Sequence, residues 1–129
     1  MEMEQGREVE YQKVNDVEKA LKITADLRNP DNGNASHRYF VSVQPEGKPS
    51  FYGATVNFQD GPIAEAGLNG ITNESLIAIV IDRLEGFQSS KFANEYNASA
   101  LVSLRNALER LNARTLDRLE RQVEGTHTV

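Results

Sequence analysis

The sequence predicts an α+β chain: a small antiparallel β-sheet at the N-terminal end, then a C-terminal two-helix antiparallel hairpin that oligomerises through its helices. Two changes of texture carry this. From Val9 to about Thr55 the apolar residues come in short runs separated by turn signals, the pattern of strands. Beyond Thr72 the apolar spacing becomes helical and stays so to about Gln122. A third observation concerns the helices themselves, whose apolar faces are wider and longer than one small lobe can cover.

Element by element, Met1 to Glu8 is polar and is expected to fray. Ala20 to Leu27 alternates, with Leu21, Ile23, Ala25 and Leu27 on one face at period two. Asn29 to Ser36 (NPDNGNAS) is a dense turn cluster whose Asn32-Gly33 pair favours a tight reversal. Tyr39 to Val43 reads as a second strand, Pro45 to Pro49 as a loop, and Phe51 to Gln59 as a third strand. Asp60-Gly61 reads as a hairpin turn that returns Ile63 to Leu68 as a fourth strand.

Thr72 or Asn73 caps the first helix, with Glu74 favourably placed in the first turn. Leu76, Val80, Leu84 and Phe87 form one stripe, which Ile77, Ile79 and Ile81 widen to roughly 200° of arc. Such breadth implies cover on two sides, by the sheet or the hairpin partner and by another subunit. Ser89-Ser90 ends the helix. The second runs from about Asn94 to Gln122, with a seam of Leu101, Leu104, Leu108, Leu111 and Leu119. At about 1.5 Å per residue it is about 40 Å long, again more than its own lobe can cover. The expected divisions are a flexible N-terminus over 1–8, a sheet lobe over 9–70, and a hairpin with its tail over 71–129, together one compact unit.

Composition narrows the chemistry. The 129 residues carry a formal net charge of −5, which argues against broad binding to a nucleic-acid polymer. The absence of cysteine removes disulfides and thiolate metal sites and suits a reducing compartment. The longest apolar run, Leu76 to Ile81, is too short to span a bilayer, and no basic leader precedes an apolar segment. No membrane association, metal or cofactor is therefore expected.

Against that acidic background, Arg105 to Gln122 holds five arginines. Arg110, Arg114, Arg118 and Arg121 fall within roughly 80° of arc, away from the leucine seam. Arg114 and Arg118 lie one turn apart, so two planar guanidinium forks can converge on a pyrophosphate or a pair of carboxylates. The plain alternative is a solvated, salt-laced face, with Asp117 pairing to Arg121 or Arg114. Phe87, near the hairpin turn, is a core aromatic or a stacking plate for a base. Asn97 is a capping or solvated amide early in the second helix, or a ligand contact. About 25 Å of helix separates Asn97 from the Arg114–Arg118 pair, so they cannot share a site within one chain. In an antiparallel dimer of hairpins they can. The aromatic, the amide and the two cations then suit a nucleotide.

The stretches "GLNGITNESLIAIVIDRLEGFQSS", "ARTLDRLERQ" and "VEGTHTV" resemble the helical-hairpin domain shared by the phage Thoeris anti-defence sponges and the anti-CBASS cyclic-oligonucleotide sponges. The resemblance runs over about residues 58–129, and the strand-rich first half is similar to the N-terminal sheet of the Thoeris sponges. It implies a protein that binds a cyclic ADP-ribose-type immune signal, glycocyclic ADP-ribose, and sequesters it without cleavage in the cytoplasm of an infected bacterial host. It also implies homodimers, hexamers in many members, and in some members separate sites for cyclic di- and trinucleotides. Carried over by position, Phe87 would stack on adenine, Asn97 would hydrogen-bond the ligand, and Arg114 and Arg118 would clamp the pyrophosphate. Thr126 and His127 would close the pocket, with a mobile tail as the competing reading. Arg110 and Arg121 remain surface charges.

Two other classes stand beside this one. A hydrolase of the same signal needs an acid, a base or a metal at the scissile bond. The two histidines, His37 and His127, have no metal-ligand spacing, Asp82 and Glu85 sit three apart on one helix, and no glycine-rich phosphate loop is visible. The other class is an oligomeric interaction module that binds no small ligand. The chain is expected not to be an enzyme.

Overall fold

The structure is a computed structural model describing residues 6–129. Its contacts sort into two compact units, described separately here. The first comprises the residues up to Gly61 together with Leu68–Gly70; the second comprises Pro62–Gly67 and Ile71–Val129.

The first unit is a four-stranded antiparallel sheet in sequential order: β1 (Arg7–Glu8), β2 (Leu21–Ala25), β3 (Arg38–Val43) and β4 (Phe51–Asn57). β2 and β3 pair from Leu21↔Val43 to Ala25↔Tyr39, and the bond from Asp26 N to the Arg38 carbonyl prolongs the ladder. Ala25 and Phe40 are its buried apolar side chains. Between β3 and β4 the register slips, with Val41 opposite Ala54 and Ser42 opposite Tyr52, so that Gly53 is the extra residue of a bulge. A Cβ there would lie 3.0 Å from Val43 Cγ2.

Several sequence expectations are corrected. Arg7 and Glu8 do not fray: they pair with Ala25 and Thr24, and Arg7 donates to the buried Ser36 hydroxyl at 3.0 Å. A two-residue charged strand has no periodicity to read, yet it suits a sheet edge. Residues 1–5 of the expected flexible N-terminus lie outside the described residues. β2 stops at Ala25, which leaves Leu27 exposed. In the turn cluster Gly33 and Asn34, one residue later than the expected pair, take the left-handed backbone, with φ of 72° and 58°. One turn of helix, α1 (Asp16–Lys19), interrupts the strand-like texture and is capped by the Asn15 side chain accepting from Glu18 N at 2.8 Å.

The expected fourth strand over Ile63 to Leu68 is instead a short helix, α2 (Ile63–Ala66). Pro62 fixes the entry, alanine and glutamate favour the helical turn, and Gly67 at φ 71° ends it. The sheet's fourth strand is β1, at the opposite end of the sequence order. Asn69 ties the chain on either side of α2 together: its side chain accepts from Asp60 N and donates to the Asp60 carbonyl, each at 2.7 Å.

The second unit is built on α3 (Asn73–Gln88) and α4 (Glu95–Glu120). Thr72 caps α3 through a capping box with Ser75, and Asn94 caps α4 by accepting from Asn97 N at 2.8 Å. The two helices form an antiparallel hairpin, bridged near the turn by Arg105 and Glu85 at 3.1 Å. Ile81 and Leu101 are buried between them, and Leu104, Leu108 and Leu111 are half-buried, as a seam requires. Leu119 departs from that seam and is 55% exposed. α4 ends two residues earlier than expected, in a Schellman closure: Val123 N bonds the Arg118 carbonyl, Gln122 N bonds the Leu119 carbonyl, and Gln122 holds φ at 60°.

One glycine is fixed by close approach. A Cβ on Gly70 would stand 2.4 Å from the Phe58 carbonyl carbon and 2.6 Å from the Asn57 oxygen, both backbone atoms that cannot swing away. Gly70→Ala is expected to lower stability by about 1–3 kcal/mol in a urea titration, with Gly86→Ala, where a Cβ meets open space, showing no such loss.

Candidate functional site

The hairpin turn is a hydrogen-bonded knuckle. The Gln88 side chain donates to the Asn94 carbonyl and accepts from Asn94 N, both at 3.0 Å, closing the Ser89–Asn94 connection from two sides. Ser90 Oγ donates to the Phe87 carbonyl at 2.6 Å and accepts from Phe92 N at 3.1 Å. Phe87 sits here on the last turn of α3, 37% exposed, with the Arg83 guanidinium 5.2 Å from its ring centre. An open depression of about 360 Å³ runs beside it, lined by Arg83, Gly86, Phe87, Ser90 and Phe92. Asn97 lies in the first turn of α4, half-buried; its backbone serves the Asn94 cap, and its side-chain amide has no hydrogen-bond partner among the described residues.

At the far end of α4 the arginines part company. Arg114 is exposed and makes no hydrogen bond among the described residues. Arg121 bonds Asp117 at 3.1 Å and the Val129 carbonyl at 2.9 Å, and Arg110 is exposed. Arg118 is only 5% exposed. Its Nε donates to Glu124 Oε1 at 3.2 Å, its Nη2 to the carbonyls of Val123 at 2.8 Å and Thr126 at 3.1 Å, and its Nη1 to the Thr128 carbonyl. These bonds use nearly the whole donor capacity of a guanidinium. The twin forks expected from sequence are therefore one exposed cation, Arg114, and one cation already occupied by the chain's own tail.

The tail is folded back. Thr126 Oγ1 donates to the Val123 carbonyl and accepts from Thr128 N, and the Gly125 carbonyl accepts from Ala64 N of α2 at 3.2 Å. His127 Nδ1 lies 3.7 Å from Glu65 of α2. Thr126 and His127 are thus placed near Arg118 and α2, while Phe87 and Asn97 stand at the knuckle. Burial pushes the Glu124 carboxyl up, but the Gly125 N–H, the hydrogen bond from Arg118 and the charges of Arg118 and Arg114 outweigh it and hold the group below the usual glutamate range. Sequence reading missed Arg83, Gly86 and Glu124. The Arg83–Phe87 spacing of one helical turn was the available signal for the first; nothing marked Glu124.

Among the described residues there is no cluster of three metal-binding side chains, and no helix is long and apolar enough to cross a membrane. The two-helix hairpin has a counterpart among known families: residues 53–116 match the Acb2/Tad1 hairpin domain. The chain belongs to the family that shares this hairpin. It is 57% identical over 74 residues to Thoeris anti-defense 1 of Bacillus phage SBSphiJ7, an alignment covering 57% of this chain and 52% of that relative. The chain thus matches about half the length of that curated protein.

Two outcomes follow from the Arg118 clasp. Arg118→Ala removes the guanidinium bonds to the Val123, Thr126 and Thr128 carbonyls and to the Glu124 carboxylate, and is expected to cost about 1–3 kcal/mol. Hydrogen exchange should locate the loss in residues 123–129. Because the Glu124 pKa is depressed, its contribution is present above the unfolded-state value and is lost as pH falls through the folded-state value. Tail protection, followed by NMR, should therefore weaken in acid below the usual glutamate range, and Glu124→Gln should abolish that dependence.

Proposed function

We propose that this chain is a phage anti-defence protein that binds glycocyclic ADP-ribose, a cyclic ADP-ribose-type signal, and sequesters it without cleaving it, so that Thoeris immunity in the infected cell is starved of its activator. The observation that carries this reading is the 57% identity to a Thoeris anti-defense protein, together with a family match whose range, 53–116, contains Phe87, Asn97 and Arg114. The chemistry is consistent with it. An exposed aromatic offers a stacking surface to a base, an amide without a side-chain partner can exchange hydrogen bonds, and an exposed guanidinium suits a pyrophosphate.

In this reading the site is shared between two copies of the chain. Phe87 and Asn97 lie at one end of α4 and Arg114 about 25 Å along it, so the knuckle of one copy meets the arginine face of another. Ile79 and Val80 on α3, and Val102, Leu116 and Leu119 on α4, are exposed apolar side chains that an antiparallel homodimer, or a hexamer of the chain, would cover. Arg114 meets the phosphates first. Arg118 reaches them only by exchanging tail carbonyls for phosphate oxygens, an exchange of like acceptors, and Thr126 and His127 move with it to close the pocket. Cyclic di- and trinucleotides of the CBASS type are the further ligand class of the same reading, at separate sites.

The test is titration calorimetry with glycocyclic ADP-ribose on the intact protein, with sedimentation to fix its assembly. Saturable binding by a dimer or larger species, with unaltered ligand recovered after heat denaturation, is the expected result. Arg114→Ala should weaken affinity about 10–100-fold with an unchanged melting temperature in the absence of ligand. A new product on the chromatogram would make the protein a hydrolase, and no binding by the parent would leave it an interaction module.

A further inference from the structure

Gly86 is unexplained by anything among the described residues of its own chain. It lies in the last turn of α3, and glycine is among the weakest helix formers. Its φ is not among the positive values of this backbone, so the conformation is one that any residue adopts. Nor does crowding demand it: a Cβ built there meets nothing within 4 Å. Its carbonyl accepts from the Ser89 hydroxyl and the Ser89 N–H, a service any residue could give.

What the missing side chain provides is clearance. Gly86 forms part of the wall of the depression beside Phe87, between Arg83 on the preceding turn and Phe92 from the connection. Both rings bordering that space carry a cation, Arg83 at 5.2 Å from Phe87 and Lys91 at 5.4 Å from Phe92. Phe92 is 61% exposed, an aromatic held at the surface rather than in the core. Flat apolar rings, nearby cations and a wall without a side chain together describe a slot for a planar, electron-rich ring.

We propose that Gly86 is a specificity-determining residue: its bare backbone keeps the flank of Phe87 open to the purine base of a bound nucleotide, and Arg83, held over the same ring, borders that base. This deepens the function proposed above and rests on it. It adds two residues to the base-binding end and assigns the ring-sized space to the purine, leaving the charge recognition to the arginine face.

The experiment is a graded series at one position. Gly86→Ala and Gly86→Leu are compared with the parent for glycocyclic ADP-ribose binding by calorimetry, for melting temperature without ligand, and for assembly by sedimentation. Both variants should melt no lower than the parent and assemble as it does, because the helix gains a better former and the side chain meets open space. Alanine should change affinity by less than about threefold and leucine should weaken it by about tenfold or more, since only the larger side chain fills the slot. Equal affinity in parent and Gly86→Leu overturns the inference while leaving the proposed function standing. A change of assembly or a lowered melting temperature in both variants assigns Gly86 to packing between copies, and also overturns it. No binding by the parent removes the function and this inference together.

Discussion

A guanidinium withdrawn from water must be given acceptors, and Arg118 organises the end of the molecule on that requirement. Leaving such a donor set unsatisfied would cost more than most single contacts return. The chain meets it by turning back on itself. Gln122 takes a left-handed backbone, the Schellman bonds close the last turn of α4, and the following residues bring three carbonyls and one carboxylate onto one side chain. The path of the tail then fixes what it touches, since Gly125 reaches Ala64 and His127 approaches Glu65. The short helix α2 is part of the second unit for this reason. The same commitment leaves Arg114, one turn earlier, exposed and without a hydrogen bond among the described residues.

The hairpin holds together with little buried apolar surface of its own. Ile81 and Leu101 are its buried apolar side chains, and Leu104, Leu108 and Leu111 along α4 are only half covered. Capping at Thr72 and Asn94 and the reciprocal Gln88–Asn94 bonds settle where each helix begins and how the two are joined, independently of the core. The broad apolar arc of α3 does not find its full complement within the hairpin, since Ile79 and Val80 remain exposed. In the proposed homodimer, a second copy would supply the remaining apolar cover.

Much of this architecture is legible in the residues because it rests on repetition. The period of two in Leu21–Ala25 and the helical period through Leu101, Leu104, Leu108 and Leu111 repeat often enough to be read, and the caps have characteristic side chains. What escapes reading has no repetition. β1 is two charged residues, α1 is a single turn, and the strand read over Ile63 to Leu68 from the Asp60-Gly61 turn gives way to a helix set by the proline before it and the glycine after it. For the candidate site the residue types were legible and their state was not. Periodicity placed Arg114 and Arg118 on one face, but could not show that the tail would fold back and take one of them. That depends on carbonyl oxygens, which every residue carries and no sequence pattern marks. Asp117 was read as a partner for Arg121 or Arg114, and the bond falls to Arg121.

The knuckle at the hairpin turn is already frozen by its own hydrogen bonds. Gln88 and Asn94 grip each other twice, and Ser90 ties Phe87 to Phe92. A connection held this way has surrendered its conformational entropy during folding, not at the moment of encounter. The aromatic end of the molecule is therefore a preset anvil, its ordering cost met before any encounter.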